Sequence, residues 1–85
     1  IFLSTGTANS SWVPVRTIFV EALRYEAVYM ILIHNHPSGC PEPSREDLVI
    51  TKQIKEAGEL LGIPLSDHII IGDKCYTSLR EQQMM

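Results

Sequence analysis

Val28-Tyr29-Met30-Ile31-Leu32-Ile33-His34-Asn35-His36-Pro37-Ser38-Gly39-Cys40-Pro41-Glu42-Pro43-Ser44-Arg45-Glu46-Asp47 carries an apolar run into two histidines, a proline-rich loop and a polar segment. The apolar run, Val28 to Ile33, is rich in branched side chains and too short for a helix. It predicts a strand covered on both faces. Ser44 is a good N-cap residue, which places Asp47 near the third position of a following helix. Side chains two apart on a strand point the same way, so His34 and His36 converge at the strand's exit. A short loop brings the first helical turn back beside them. Two neutral imidazoles and one carboxylate leave a fourth tetrahedral position open to water, the pattern of a catalytic rather than a structural zinc. Pro37, Pro41 and Pro43 narrow the unfolded ensemble, so the loop holds ligands at little further ordering cost. Each residue also has an ordinary explanation. Histidines serve cores and surfaces more often than metals, Asp47 suits a helix N-terminus, and Ser44 can be a plain cap. At this level a metal site and a set of structural residues are both open.

Outward from the loop, the chain reads as α/β, a mixed sheet flanked by helices. Ile1 to Thr5 predicts a short strand, and Thr7 to Trp12 a polar loop. Pro14 suits a first helical turn. Val15, Ile18, Phe19, Ala22 and Leu23 then form one apolar stripe of a helix ending near Glu26. Strand, helix and strand over residues 1–33 suggest a parallel crossover. Ile50, Ile54, Ala57 and Leu61 form the core face of the helix begun at Ser44. Gly62 and Pro64 end it, and Gly58 within it implies close packing. Leu65 to Ile71 predicts a strand, Gly72 to Lys74 a turn and Cys75 to Ser78 a return strand. The polar tail from Leu79 is expected to fray.

Eighty-five residues allow one small domain, and 45% hydrophobic content suffices for a core. The chain opens on Ile1-Phe2-Leu3 without a methionine, so we expect part of a longer protein, truncated at the N-terminus of its domain. No run is long and apolar enough for a membrane helix, and no signal peptide is evident. The net charge of −3, without a basic run, argues against nucleic-acid binding by this chain. Cys40 and Cys75 form no disulfide framework, so a reducing cytoplasm is the expected compartment.

The loop resembles a known motif. His34-Asn35-His36, seven residues, Ser44, two residues and Asp47 match the JAMM motif of the JAB/MPN metalloprotease fold at every position. The loop wording, with Glu56-Ala57-Gly58-Glu59-Leu60-Leu61-Gly62-Ile63-Pro64 and Asp67-His68-Ile69-Ile70-Ile71-Gly72, is similar to the RadC subfamily. The resemblance implies a cytidine-deaminase-like α/β sandwich and a Zn2+ held by His34, His36 and Asp47. It also implies a catalytic Ser44 that hydrogen-bonds the oxyanion, and hydrolysis of a peptide or isopeptide bond. A glutamate base is implied on the strand before the first helix, and we expect it just ahead of Ile1. Glu42 matches no motif position. Cys40 as a ligand, and His68 as a third imidazole, are minor alternatives. Competing readings are a non-catalytic metal-containing module and a DNA-repair accessory protein, the latter from the RadC name alone. A shortened first strand would leave an exposed sheet edge that invites pairing with a second copy.

Overall fold

The computed structural model describes residues 14–36 and 39–85. The strand expected over residues 1–5, the loop after it and the crossover built on them lie outside these residues. Within them the order is α1 (Val15–Arg24), β1 (Met30–Asn35), α2 (Arg45–Leu61), β2 (Leu65–Ile71) and β3 (Tyr76–Ser78). The sheet runs β1-β2-β3, with β1 parallel to β2 and β2 antiparallel to β3. It is a mixed sheet with helices, as the α/β reading requires. The crossover between the parallel pair is α2.

Pro14 caps α1, and its carbonyl accepts from the Ile18 amide at 3.2 Å. Ile18, Phe19 and Ala22 are buried, but Leu23, expected in the same stripe, is 52% exposed. At 3.6 residues per turn Leu23 lies about 80° round from Val15, at the rim of the stripe. The helix stops at Arg24, and Glu26 takes a φ of 54°.

β1 begins two residues later than the apolar run and extends through His34 and Asn35. Its coverage differs from expectation. Met30 and His34 are buried, whereas Ile31 and Ile33, on the other face, are 48% and 55% exposed. The run is apolar on both faces, but the core it joins lies on one. Ile18, Phe19 and Ala22 of α1, Ile54 of α2, Met30, Ile63 and Leu65 form a single cluster, with Leu32, Ile50 and Ala57 packed against it.

α2 starts at the Ser44 cap and ends at Gly62, whose φ of 74° is open to glycine at little steric cost. Leu61, expected on the core face, is half exposed because the chain turns away there. Gly58 has a packing reason: a Cβ there would lie 2.4 Å from the Ile63 carbonyl oxygen, where the chain folds back over the helix.

The tail does not fray as expected. Leu79 is fully buried, and Met85 packs against the core. The Asp67 carboxylate accepts from the Ser78 hydroxyl at 2.6 Å and the Arg80 amide at 3.1 Å, and the Met84 amide donates to the Leu79 carbonyl. Its composition implies a loose end, but Leu79, Met85 and the Asp67 carboxylate anchor it.

Candidate metal centre

Local rules at the head of α2 aim the carboxylate. The Ser44 hydroxyl accepts from the Asp47 amide at 3.1 Å, and Asp47 Oδ2 accepts from the Ser44 amide at 2.8 Å. This reciprocal capping box turns the Asp47 side chain back toward the end of β1. There Oδ2 lies 2.7 Å from His36 Nε2, and Oδ1 lies 3.1 Å from His34 Nδ1. The two rings are perpendicular, with centroids 5.0 Å apart. One ligand atom from each of His34, His36 and Asp47 lies within 4.8 Å of the others. The strand exit and the helix start thus bring together the three residues picked from spacing.

The loop fixes His36. Its amide donates to the Ile71 carbonyl at 3.0 Å, which continues the β1–β2 ladder by one residue. Its Nδ1 lies 2.8 Å from the Cys40 carbonyl oxygen. A carbonyl only accepts, so Nδ1 carries a proton, and Nε2 is the ring nitrogen turned to the Asp47 carboxylate. The turn after β2 supports the same loop. The Asp73 amide donates to the Gly39 carbonyl at 2.8 Å. A Cβ on Gly72 would lie 2.4 Å from that carbonyl oxygen and 3.0 Å from the Pro41 ring, so the two backbones approach closely.

The electrostatics fit a cation. Burial acts to raise the Asp47 carboxyl. Hydrogen bonds from Ser44 and His36, with His34 nearby, outweigh it and hold the group below its ordinary value, ionised at neutral pH. A lone pair at His36 Nε2 and a carboxylate oxygen 2.7 Å away repel unless a proton or a metal ion lies between them. An imidazole whose other nitrogen is tied to a carbonyl, beside an ionised carboxylate, is a donor set suited to zinc.

Among the described residues no glutamate, no thiol and no further imidazole joins the three. Glu42 is exposed in the loop. Cys40 contributes its main-chain oxygen. His68 lies behind the cluster, its ring stacked on His34 at 6.4 Å and 23°. Burial pushes His68 down to about 4, so it is neutral at pH 7. Its Nδ1 is 2.6 Å from the Thr51 hydroxyl, which donates to the Asp47 carbonyl at 2.6 Å. The sequence reading passed over Thr51. The available signal was its place four residues after Asp47, a hydroxyl on the helix's buried stripe.

Comparison with known proteins gives the family. The family model described as RadC-like JAB domain matches residues 2–84. The chain belongs to this family. Its relatives include proteins named only UPF0758 protein. That of Desulforamulus reducens is 55% identical over 83 residues, covering 98% of this chain and 37% of the relative. Those of Alkaliphilus metalliredigens and Geotalea uraniireducens are 54% and 51% identical over 83 residues, covering 98% of the chain and 36% of each relative. This RadC-like chain therefore spans little more than a third of the length of these relatives. Among its described residues no helix is long and apolar enough to cross a membrane.

Proposed function

We propose that this RadC-like JAB domain is a zinc-dependent hydrolase domain acting on a peptide or isopeptide bond. The observation that carries the reading is the convergence of His34, His36 and an ionised Asp47 at a strand–loop–helix junction. Zinc bound there supplies an acidified water and a polarised carbonyl. The chain's own residues do the rest. His36 is held in one tautomer by the Cys40 carbonyl. Asp47 keeps its charge through the capping box. Ser44 is exposed, and its oxygen accepts from the Asp47 amide, which leaves the hydroxyl proton available to a substrate carbonyl oxygen. Loss of such a donor reduces turnover by roughly two to three orders of magnitude.

A second reading is a metal-holding module without activity of its own. It draws on one observation: among the described residues no glutamate stands in the cluster to take a proton from water. Elemental analysis of the purified chain, beside His36→Ala and Asp47→Ala, tests the site common to both. We expect about one zinc per chain, lost in both variants. A metal-free chain after zinc addition at neutral pH overturns both readings. Cleavage of fluorogenic peptide and isopeptide substrates by the zinc-loaded chain, abolished in Asp47→Ala and reduced in Ser44→Ala, selects the hydrolase. A loaded chain that cleaves nothing selects the module.

A further inference from the structure

Behind the three donors lies a buried polar pair. Thr51 is 2% exposed and His68 0%, next to Asp47 at 1%. A small domain gains nothing from a hydroxyl and an imidazole in its core unless their hydrogen bonds serve a purpose, because an apolar pair of similar shape avoids the desolvation. The direction of these bonds follows from the donor count. The single hydroxyl hydrogen of Thr51 goes to the Asp47 carbonyl, so His68 donates from Nδ1 to the Thr51 oxygen. The chain of bonds runs from β2 through α2 to the main chain of Asp47. The other side of His68 faces the strand. β2 pairs with β1 so that Leu32 lies opposite His68 and His34 opposite Ile70, which places His34 and His68 as diagonal neighbours on the core face with stacked rings.

We infer that Thr51 and His68 are positioning residues for the metal centre, fixing the first turn of α2 against the end of β1. The inference rests on the zinc reading above. His34 belongs to the sheet and Asp47 to the helix, so their separation depends on how the helix sits on the sheet. Metal ligands tolerate only a few tenths of an ångström of error. The Thr51–His68 bond spans that joint, one helical turn from Asp47 and one ring from His34.

The test measures zinc affinity by competition with a chromogenic chelator, and the visible spectrum of the Co2+-loaded chain, without reference to turnover. Thr51→Val keeps the shape and deletes the hydroxyl. His68→Leu deletes the donor. Each is expected to weaken zinc binding by about tenfold or more and to alter the cobalt bands, as loss of groups that orient ligands does elsewhere. Thr51→Ser keeps the hydroxyl and His68→Asn keeps a donor near Nδ1, so both are expected to return affinity and spectrum toward the parent. Ile18→Val, a core truncation on α1, serves as the stability control. Parent affinity and spectrum in folded Thr51→Val and His68→Leu overturn the inference. So does a loss no larger than Ile18→Val gives at equal melting temperature. If either variant fails to fold, the other decides by the same criteria. A parent chain that binds neither ion removes the zinc reading itself, an outcome distinct from a parent that binds and variants that match it.

Discussion

At the scale of single residues, the loop shows how much a site owes to atoms without side-chain chemistry. His36 is oriented by the carbonyl of Cys40, and that stretch is seated against Gly72. Gly72→Ala places a methyl where the Gly39 carbonyl oxygen and the Pro41 ring already stand, so the loop must move. Overpacking of this kind costs about 1–3 kcal/mol, read from urea unfolding. We expect zinc affinity to fall by about tenfold with it, since the acceptor of His36 travels with the loop. Gly62→Ala is the contrast. Nothing lies within 4 Å of its missing Cβ, but its φ of 74° strains an L-residue. It should lower stability by about 1 kcal/mol and leave metal affinity unchanged. Equal effects of the two substitutions on zinc binding would refute the bracing role of Gly72. The side chains of the site were legible because they fall in one contiguous stretch with a fixed spacing. The Cys40 carbonyl and the Gly72 contact were not, since a main-chain acceptor and a missing methyl leave no mark in residue type.

Elements were legible where periodicity and punctuation agreed. The α2 boundaries followed from Ser44 and Gly62, and the β2–β3 hairpin from Gly72-Asp73-Lys74. The face of β1 was not, because an apolar run states hydrophobicity on both sides and not which side meets the helices. The tail failed for the opposite reason: its composition is polar while its anchor lies twelve residues upstream, in Asp67. That anchor has a pH signature. Burial acts to raise the Asp67 carboxyl, but hydrogen bonds from Ser78, Arg80 and His68 outweigh it and hold the group below its usual 3.8. A depressed folded-state value contributes stability above the unfolded value, and that contribution is lost as pH falls through the folded one. Asp67→Ala is expected to lower stability by about 2 kcal/mol at pH 7. The gap between the two proteins should hold down to about pH 5 and narrow progressively as pH falls through the depressed folded-state value. Urea titrations across that range check it; a gap at pH 3 as wide as at pH 7 would mean that the charge of Asp67 is not what holds the tail.

At the scale of the whole molecule, folding and metal binding draw on the same residues. One small cluster supplies the apolar core, and the polar residues beside it include His34, Asp47, Thr51 and His68, all buried. Two imidazoles and an ionised carboxylate packed together oppose folding when nothing offsets their desolvation, and favour it when a cation does. A ligand that binds only the native state, at a hundred times its dissociation constant, adds about 2.7 kcal/mol. For a domain of this size that is a rise in melting temperature of roughly 10–20 °C. We therefore expect zinc to raise the thermal midpoint of this chain by that order, EDTA to reverse the rise, and magnesium to have little effect, since it favours oxygen ligands. His36→Ala should melt near the metal-free parent and ignore added zinc. Scanning calorimetry of both proteins, with and without the ion, decides the matter. A parent that does not respond means that the three donors serve the fold alone. A variant that responds as the parent does places the ion elsewhere, with the thiols of Cys40 and Cys75 the first groups to examine, as both are exposed and neither is in a disulfide.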